Sequence, residues 1–295
     1  MLPRTSRVIV QEGPRQLVLR ELPIPAIDDD SAILRIEACG ICGSDVEQYT
    51  GTIPIPLPVI PGHEPLGVIA AIGDRAAKRW QVDVGDRVAV EAPIPCGHCR
   101  ACLEGRYQVC RGRGTMFAHG YIRLSHAPGL WGGYADYMYL DPCSIVHKMR
   151  PDIPASLAVM FNPLGAGFRW AVEIPETGPG DTVLILGPGQ RGLASVIAAR
   201  AAGADTIIVT GLTRDAAKLA LAREFGADHV IDVEQEDTAR RVQELTAGRG
   251  ADVVIEVSSY ATAPVAEALH YVAMGGRIVL AGIKGFQPVP DFVSD

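Results

Sequence analysis

The sequence predicts a two-domain α/β chain, with a β-rich N-terminal domain over residues 1–155 and a doubly wound parallel-sheet domain over residues 156–295. Three observations carry this prediction. The 295 residues exceed what one hydrophobic core comfortably fills. The first half is rich in Pro, Gly and β-branched residues with short alternating apolar runs. After Pro163, apolar runs alternate with helical stretches, which is the signature of strands buried on both faces.

In the first half, Ser31 to Glu37 and Arg87 to Glu91 read as strands of a small barrel or sandwich. The pairs Pro61-Gly62, Gly73-Asp74 and Gly85-Asp86 mark the turns between strands. In the second half, strands are expected at Asp181 to Leu186, Thr206 to Thr210, His229 to Val233, Asp252 to Val257 and Arg277 to Ala281. Helices are expected between them at Leu193 to Ala202, Ala216 to Phe225, Thr238 to Thr246 and Ala263 to Ala273. No internal repeat interrupts the series.

Composition narrows the function. A hydrophobic fraction of 48% with 21% charged residues describes a globular chain with ample core material. The net charge of -7 and the lack of any basic run argue against a nucleic-acid surface. Met1 to Val10 carries Arg4 and Arg7 and no long apolar stretch, so neither a signal peptide nor a membrane span is expected, and the cytoplasm is the expected compartment. Seven cysteines, four of them crowded into Cys96 to Cys110, suit metal binding better than a disulfide framework.

Gly187-Pro188-Gly189-Gln190-Arg191-Gly192 follows an expected strand and opens an expected helix. In that context the first glycine allows the tight turn, the second lets the backbone approach a pyrophosphate, and the third lets helix and strand pack closely. The helix N-terminus adds partial positive charge. The acid that grips the adenosine ribose in NAD sites is missing from the end of the second strand, where Gly211, Thr213 and Arg214 stand instead. A guanidinium in place of a carboxylate favours NADP over NAD by a small margin.

The spacing Cys96-x2-Cys99-x2-Cys102-x7-Cys110 presents four thiolates on one loop, a set suited to a closed, structural zinc. Cys42-Gly43-Ser44-Asp45 and Gly62-His63-Glu64 place a thiolate, an imidazole and carboxylates on separate loops. Catalytic zinc takes three protein ligands and an open position, and Cys42 and His63 are the natural first two.

With these motifs the chain resembles the zinc-containing medium-chain alcohol dehydrogenase family, which includes alcohol, sorbitol and threonine dehydrogenases. The resemblance covers essentially the whole chain, through Gly40 to Asp45, Pro61 to Glu64 and the four-cysteine lobe. It implies a GroES-like catalytic domain followed by a Rossmann domain. It also implies that Cys42 and His63 bind catalytic zinc, that Glu64 sits in or beside the shell, that Asp45 orients the histidine, and that Ser44 passes on the substrate proton.

Three departures from the family pattern follow. The third zinc ligand falls at Asn162, a neutral amide, so Glu64 or water is expected to complete the shell. The relay histidine is replaced by Glu47, whose carboxylate can carry protons with a different pH dependence. Relatives continue beyond the strand ending near Ala281 with a segment that returns to the catalytic domain and an edge strand used in dimerisation, so a fragment is expected here, and a homo-oligomer for a full-length chain.

The expected activity is reversible transfer of a hydride between an alcohol or polyol and a nicotinamide, run in reverse as aldehyde or ketone reduction. The nicotinamide is expected near Val257-Ser258 and Ala281-Gly282-Ile283, with substrate-pocket residues around Thr50 to Pro58 and Phe117 to Trp131. The alternative is a non-catalytic member that binds zinc and cofactor without turnover.

Overall fold

A computed structural model describes residues 2–285 except Thr115, together with residues 287–289. The chain divides into two compact units, Met1–Asn162 and Pro163–Asp295. The sequence expectation had placed this division at 155/156.

The first unit opens with an antiparallel hairpin of β1 (Thr5–Gly13) and β2 (Gln16–Pro23). It continues through β3 (Ala32–Cys39), α1 (Gly43–Thr50), β4 (Pro65–Ile72), α2 (Asp74–Trp80), β5 (Arg87–Val90), α3 (Arg100–Leu103), β6 (Tyr137–Leu140), β7 (Val146–Lys148) and α4 (Ala155–Ala158). Five of these strands form an antiparallel sheet in the order β6-β3-β4-β5-β7. Alternation along β3 sends Ile33 into one core cluster, with Trp131 and Tyr139, and Leu34 into another, with Ile69 and Met138. Both faces of the sheet are therefore covered by apolar side chains. Leu130 and Trp131, at the end of an expected substrate loop, are 1% and 2% exposed and belong to this core.

Helix α5 (Phe161–Phe168) spans the division between the units along the chain. The second unit alternates β8 (Thr182–Leu186), α6 (Gln190–Ala201), β9 (Thr206–Gly211), α7 (Ala216–Glu224), β10 (His229–Asp232), α8 (Thr238–Leu245), β11 (Ala251–Glu256), α9 (Ala263–Tyr271) and β12 (Val272–Leu280). All pairings are parallel, in the order β10-β9-β8-β11-β12. Val183 and Ile185 pack on one face of β8, and Leu184 and Leu186 on the other, as a two-sided buried strand requires. Strand order reverses between β8 and β11, so their carboxyl ends flank the point where such sheets leave a crevice.

One expectation is corrected. The helix predicted over Ala263 to Ala273 stops at Tyr271, and β12 starts at the next residue, well before the predicted start at Arg277. The chain passes from helix to strand with no intervening turn, so no glycine or proline marked the boundary. Among the described residues no helix is long and apolar enough to cross a membrane.

Candidate catalytic metal centre and cofactor site

Strands β3 and β4 run antiparallel with Cys39 opposite Pro65. The end of β3 and the start of β4 are thereby brought together, and with them Cys42 and His63. Cys42 caps α1 with an extended backbone, and its N–H donates to the Asp45 carboxylate at 2.8 Å. The cap fixes the thiol at the mouth of the helix.

Cys42 Sγ lies 3.2 Å from His63 Nε2, and Ser44 Oγ lies 2.7 Å from the thiol and 3.4 Å from the same ring nitrogen. On the opposite side of the ring, His63 Nδ1 faces Asp45 Oδ1 at 3.4 Å and the Tyr121 hydroxyl at 3.4 Å. One ring nitrogen is thus turned to the thiol and the other to a carboxylate, the arrangement that orients a metal-binding histidine. Asp45 Oδ1 faces Nδ1, the position of an orienting group, and its carboxylate also lies within 4.8 Å of donor atoms of both Cys42 and His63. Glu64 is fully buried, with Oε1 3.9 Å from His63 Nε2. Its space is kept by Gly40, where a Cβ would lie 2.2 Å from Glu64 Oε2.

The charges agree with this geometry. Burial works against a charged imidazole, but hydrogen bonds to Asp45 and Cys42 outweigh it and lift His63 to about 10. Burial likewise pushes against the Cys42 thiolate, yet the hydrogen bond and charge of His63 bring it below its ordinary value. The pair stores a thiolate and a proton that a cation can displace. For tetrahedral zinc with ordinary Zn–S and Zn–N bonds the two donor atoms would sit about 3.5 Å apart, close to what is found.

Asn162 is half-buried in the first turn of α5, on a separate element from the other predicted ligands. Glu47 is buried on α1 at 7% exposure, one of its carboxylate oxygens lacking a hydrogen-bond partner. Tyr121 was not singled out from the sequence, and its hydroxyl also reaches Ser44 Oγ at 3.5 Å.

In the cysteine lobe, the sulfurs of Cys99 and Cys102 are 3.4 Å apart, Cys99 and Cys110 3.7 Å, and Cys96 and Cys102 3.9 Å. Zinc in a tetrahedron of four thiolates sets sulfur separations of about 3.8 Å. Backbone N–H groups of Cys96 and Gly112 donate to Cys110 Sγ and draw that thiol down to about 6. Gly112 also keeps the space clear, since a Cβ there would lie 2.4 Å from Cys96 Sγ. All four residues fit a closed S4 site.

In the second unit the glycine turn behaves as its sequence implied. Gly187 has φ 110°, and its missing side chain lets Ser258 at the end of β11 come close. A Cβ on Gly192 would lie 2.0 Å from the Gly187 carbonyl, so close packing demands a glycine. Gly189, the N-cap of α6, faces open space, with no atom within 4 Å of where its Cβ would stand. A cavity of about 310 Å³ is lined by Gly187, Pro188, Gly189, Gly211, Arg214 and Ser258. Lys218, which the sequence reading passed over, lines it too.

The other predicted cofactor residues, Gln190, Arg191, Gly192, Thr213, Gly282 and Ile283, are not among the residues that line this cavity. Gln190, Arg191 and Gly192 form the first turn of α6, with Arg191 over the Trp170 ring at 5.7 Å. Thr213 donates its hydroxyl to Asp232 at 2.8 Å. Gly282 packs against the Ser258 carbonyl, and the Ile283 carbonyl accepts from Tyr260 N–H at 2.7 Å. Residue Glu256, fully buried beneath Ser258, is neutralised by Lys284 at 2.8 Å.

The Cys42 and His63 cluster at the end of one antiparallel sheet and the glycine turn at the switch point of a parallel sheet are the pair of features expected of an oxidoreductase of dehydrogenase type. Residues 28–151 match the alcohol dehydrogenase GroES-like domain, and residues 192–294 match the zinc-binding dehydrogenase domain. The chain is 49% identical to a Mycobacterium tuberculosis protein named probable alcohol dehydrogenase adh, over 95% of this chain and 76% of that protein. It is 34% identical to the sorbitol dehydrogenase of Bacillus subtilis, over 100% of this chain and 80% of that protein. Among solved structures, an alcohol dehydrogenase from Thermotoga maritima superimposes with a TM-score of 0.87 at 31% identity, covering 97% of this chain and 80% of that one. Other similar structures carry NADP or NADH. The chain belongs to the zinc-containing medium-chain alcohol dehydrogenase family and is an oxidoreductase.

Proposed function

We propose that this protein interconverts an alcohol or polyol and the corresponding aldehyde or ketone, with a nicotinamide dinucleotide as the hydride carrier. The observation that carries the reading is the approach of Cys42 Sγ and His63 Nε2 to 3.2 Å with Ser44 Oγ beside both. Cys42 and His63 would hold a catalytic zinc, with Glu64, whose Oε1 lies 3.9 Å from His63 Nε2, a further donor and Asn162 an alternative. Cys96, Cys99, Cys102 and Cys110 would hold a second, structural one.

Bound zinc supplies a Lewis acid that polarises the alcohol oxygen. Ser44 takes the hydroxyl proton, and Glu47, buried on the same helix, is the next acceptor along the path. Asp45 holds the His63 ring so that Nε2 stays directed at the metal position. In the second unit the N-terminus of α6 and the open face of Gly189 receive the pyrophosphate, and Arg214 favours the extra phosphate of NADP.

The test is Cys42→Ala. Turnover of a panel of alcohols and polyols with NADP and NAD should vanish, one equivalent of zinc should be lost, and cofactor binding should remain. Normal zinc-dependent turnover in this variant would refute the assignment.

A further inference from the structure

Gly211 ends β9, the place from which an acidic side chain accepts hydrogen bonds from the adenosine ribose in NAD sites. A Cβ built there would lie 2.8 Å from Pro188 Cγ, 3.2 Å from Pro188 Cδ and 3.1 Å from Leu219 Cδ2. Neither neighbour can yield easily. The proline ring is rigid, and Leu219 is 6% exposed within a close-packed core cluster. While Pro188 stands, a side chain at position 211 can enter only if the ring is displaced.

The nearby carboxylates are already engaged. Asp232, the strand partner of Gly211, accepts from Thr213 Oγ1 at 2.8 Å and from Glu234 N–H at 3.0 Å. Glu234 accepts from Thr213 N–H at 2.8 Å, and Asp215 is paired with Lys218 at 2.7 Å. Arg214 and Lys218 stand in the wall of the same cavity as Pro188 and Gly211 together with Asp215 and Glu267, and with Lys218 paired to Asp215 the guanidinium of Arg214 is the cation beside Gly211.

We infer that Pro188 locks position 211 as glycine: its ring opposes an acidic side chain at the end of β9 and so keeps the cavity in the form that accepts a 2'-phosphorylated ribose. The inference rests on the dinucleotide reading of this cavity and deepens it. The glycine turn and the end of the second strand then act as one lock, in which changing position 211 alone meets the proline, and changing the proline alone adds no acid.

The experiment compares wild type, Gly211→Asp, Pro188→Ala and the double variant by titrating NADP and NAD against intrinsic fluorescence and by thermal melting. Gly211→Asp alone should melt lower and bind both cofactors roughly tenfold more weakly, the scale of an overpacked core. Failure of that single variant to fold while the double variant folds supports the lock equally. Pro188→Ala should keep the NADP preference. The double variant should recover its melting temperature and shift the NAD-to-NADP affinity ratio roughly tenfold toward NAD, the scale of a charge-assisted hydrogen bond. Gly211→Asp alone switching to NAD at an unchanged melting temperature would overturn the inference, as would a double variant whose NAD-to-NADP affinity ratio stays that of wild type. Wild type binding neither cofactor would instead overturn the dinucleotide reading, before any variant is made.

Discussion

Tyr121 touches both halves of the proposed proton and metal machinery, with its hydroxyl 3.4 Å from His63 Nδ1 and 3.5 Å from Ser44 Oγ. Both contacts are long, so its contribution belongs at the lower end of what groups behind a metal ligand supply, about tenfold in metal retention. Tyr121→Phe removes only the hydroxyl and leaves the buried ring in place. The expected result is faster loss of the catalytic metal to a chelator and a comparable fall in kcat, at an unchanged melting temperature; unchanged metal retention would assign Tyr121 to packing alone. The sequence placed Tyr121 only within the expected pocket stretch Phe117 to Trp131, and its contacts could not be read there because it lies 58 positions from His63 and 77 from Ser44. Cys42 and His63 were legible since each sits in a short motif whose residue types already suit zinc. The absent acid at Gly211 was legible as well, but its steric reason in Pro188 needs coordinates, since a distance between two turns has no signature along the chain.

At the scale of elements, legibility followed burial. Strands β8, β9 and β11 are apolar and mostly buried on both faces, so they and the shorter β10 could be read to within a residue or two from runs of Val, Leu and Ile, whereas β12, with its glycines and exposed Met274, could not. The hairpin of β1 and β2 was passed over for the opposite reason. In β2, Leu17, Val18 and Leu19 are all exposed, so apolar residues follow one another with no alternation to betray a sheet face. Between α3 and β6 the chain is mostly irregular, and Phe117 and Trp131 from that stretch pack edge to face with centroids 6.1 Å apart. A loop that supplies core aromatics resembles a pocket loop in sequence, which is why the stretch from Phe117 to Trp131 was expected to shape the substrate site and turned out to hold core residues as well.

For the molecule as a whole, the fully buried His119 gives acid sensitivity a specific source. Its Nε2 meets Ser144 Oγ at 3.1 Å, and burial pushes its pKa down from 6.5 to about 4. Below about pH 6.5 the unfolded chain takes up a proton that the folded chain refuses, so stability present at neutral pH is lost as the pH falls toward about 4. At roughly 1.4 kcal/mol per unit of displacement this amounts to about 3 kcal/mol. Denaturant titrations from neutral to mildly acidic pH should show this slope in wild type and a flatter one in His119→Gln; equal slopes would place the sensitivity elsewhere. The cysteine lobe has a consequence for the order in which the molecule is assembled. Its four thiols lie within Cys96–Cys110, so closing the loop around a cation costs little chain entropy, whereas the Cys42 and His63 pair depends on β3 and β4 having already joined. If the lobe holds the ion proposed for it, it would capture that ion during synthesis as soon as it emerges, ahead of β6 and β7, and act as the first fixed point on which later segments settle. A peptide spanning residues 92–114 should accordingly bind cobalt with the absorption of a tetrathiolate site, and a peptide that leaves the ion hydrated would show that capture waits for the finished domain.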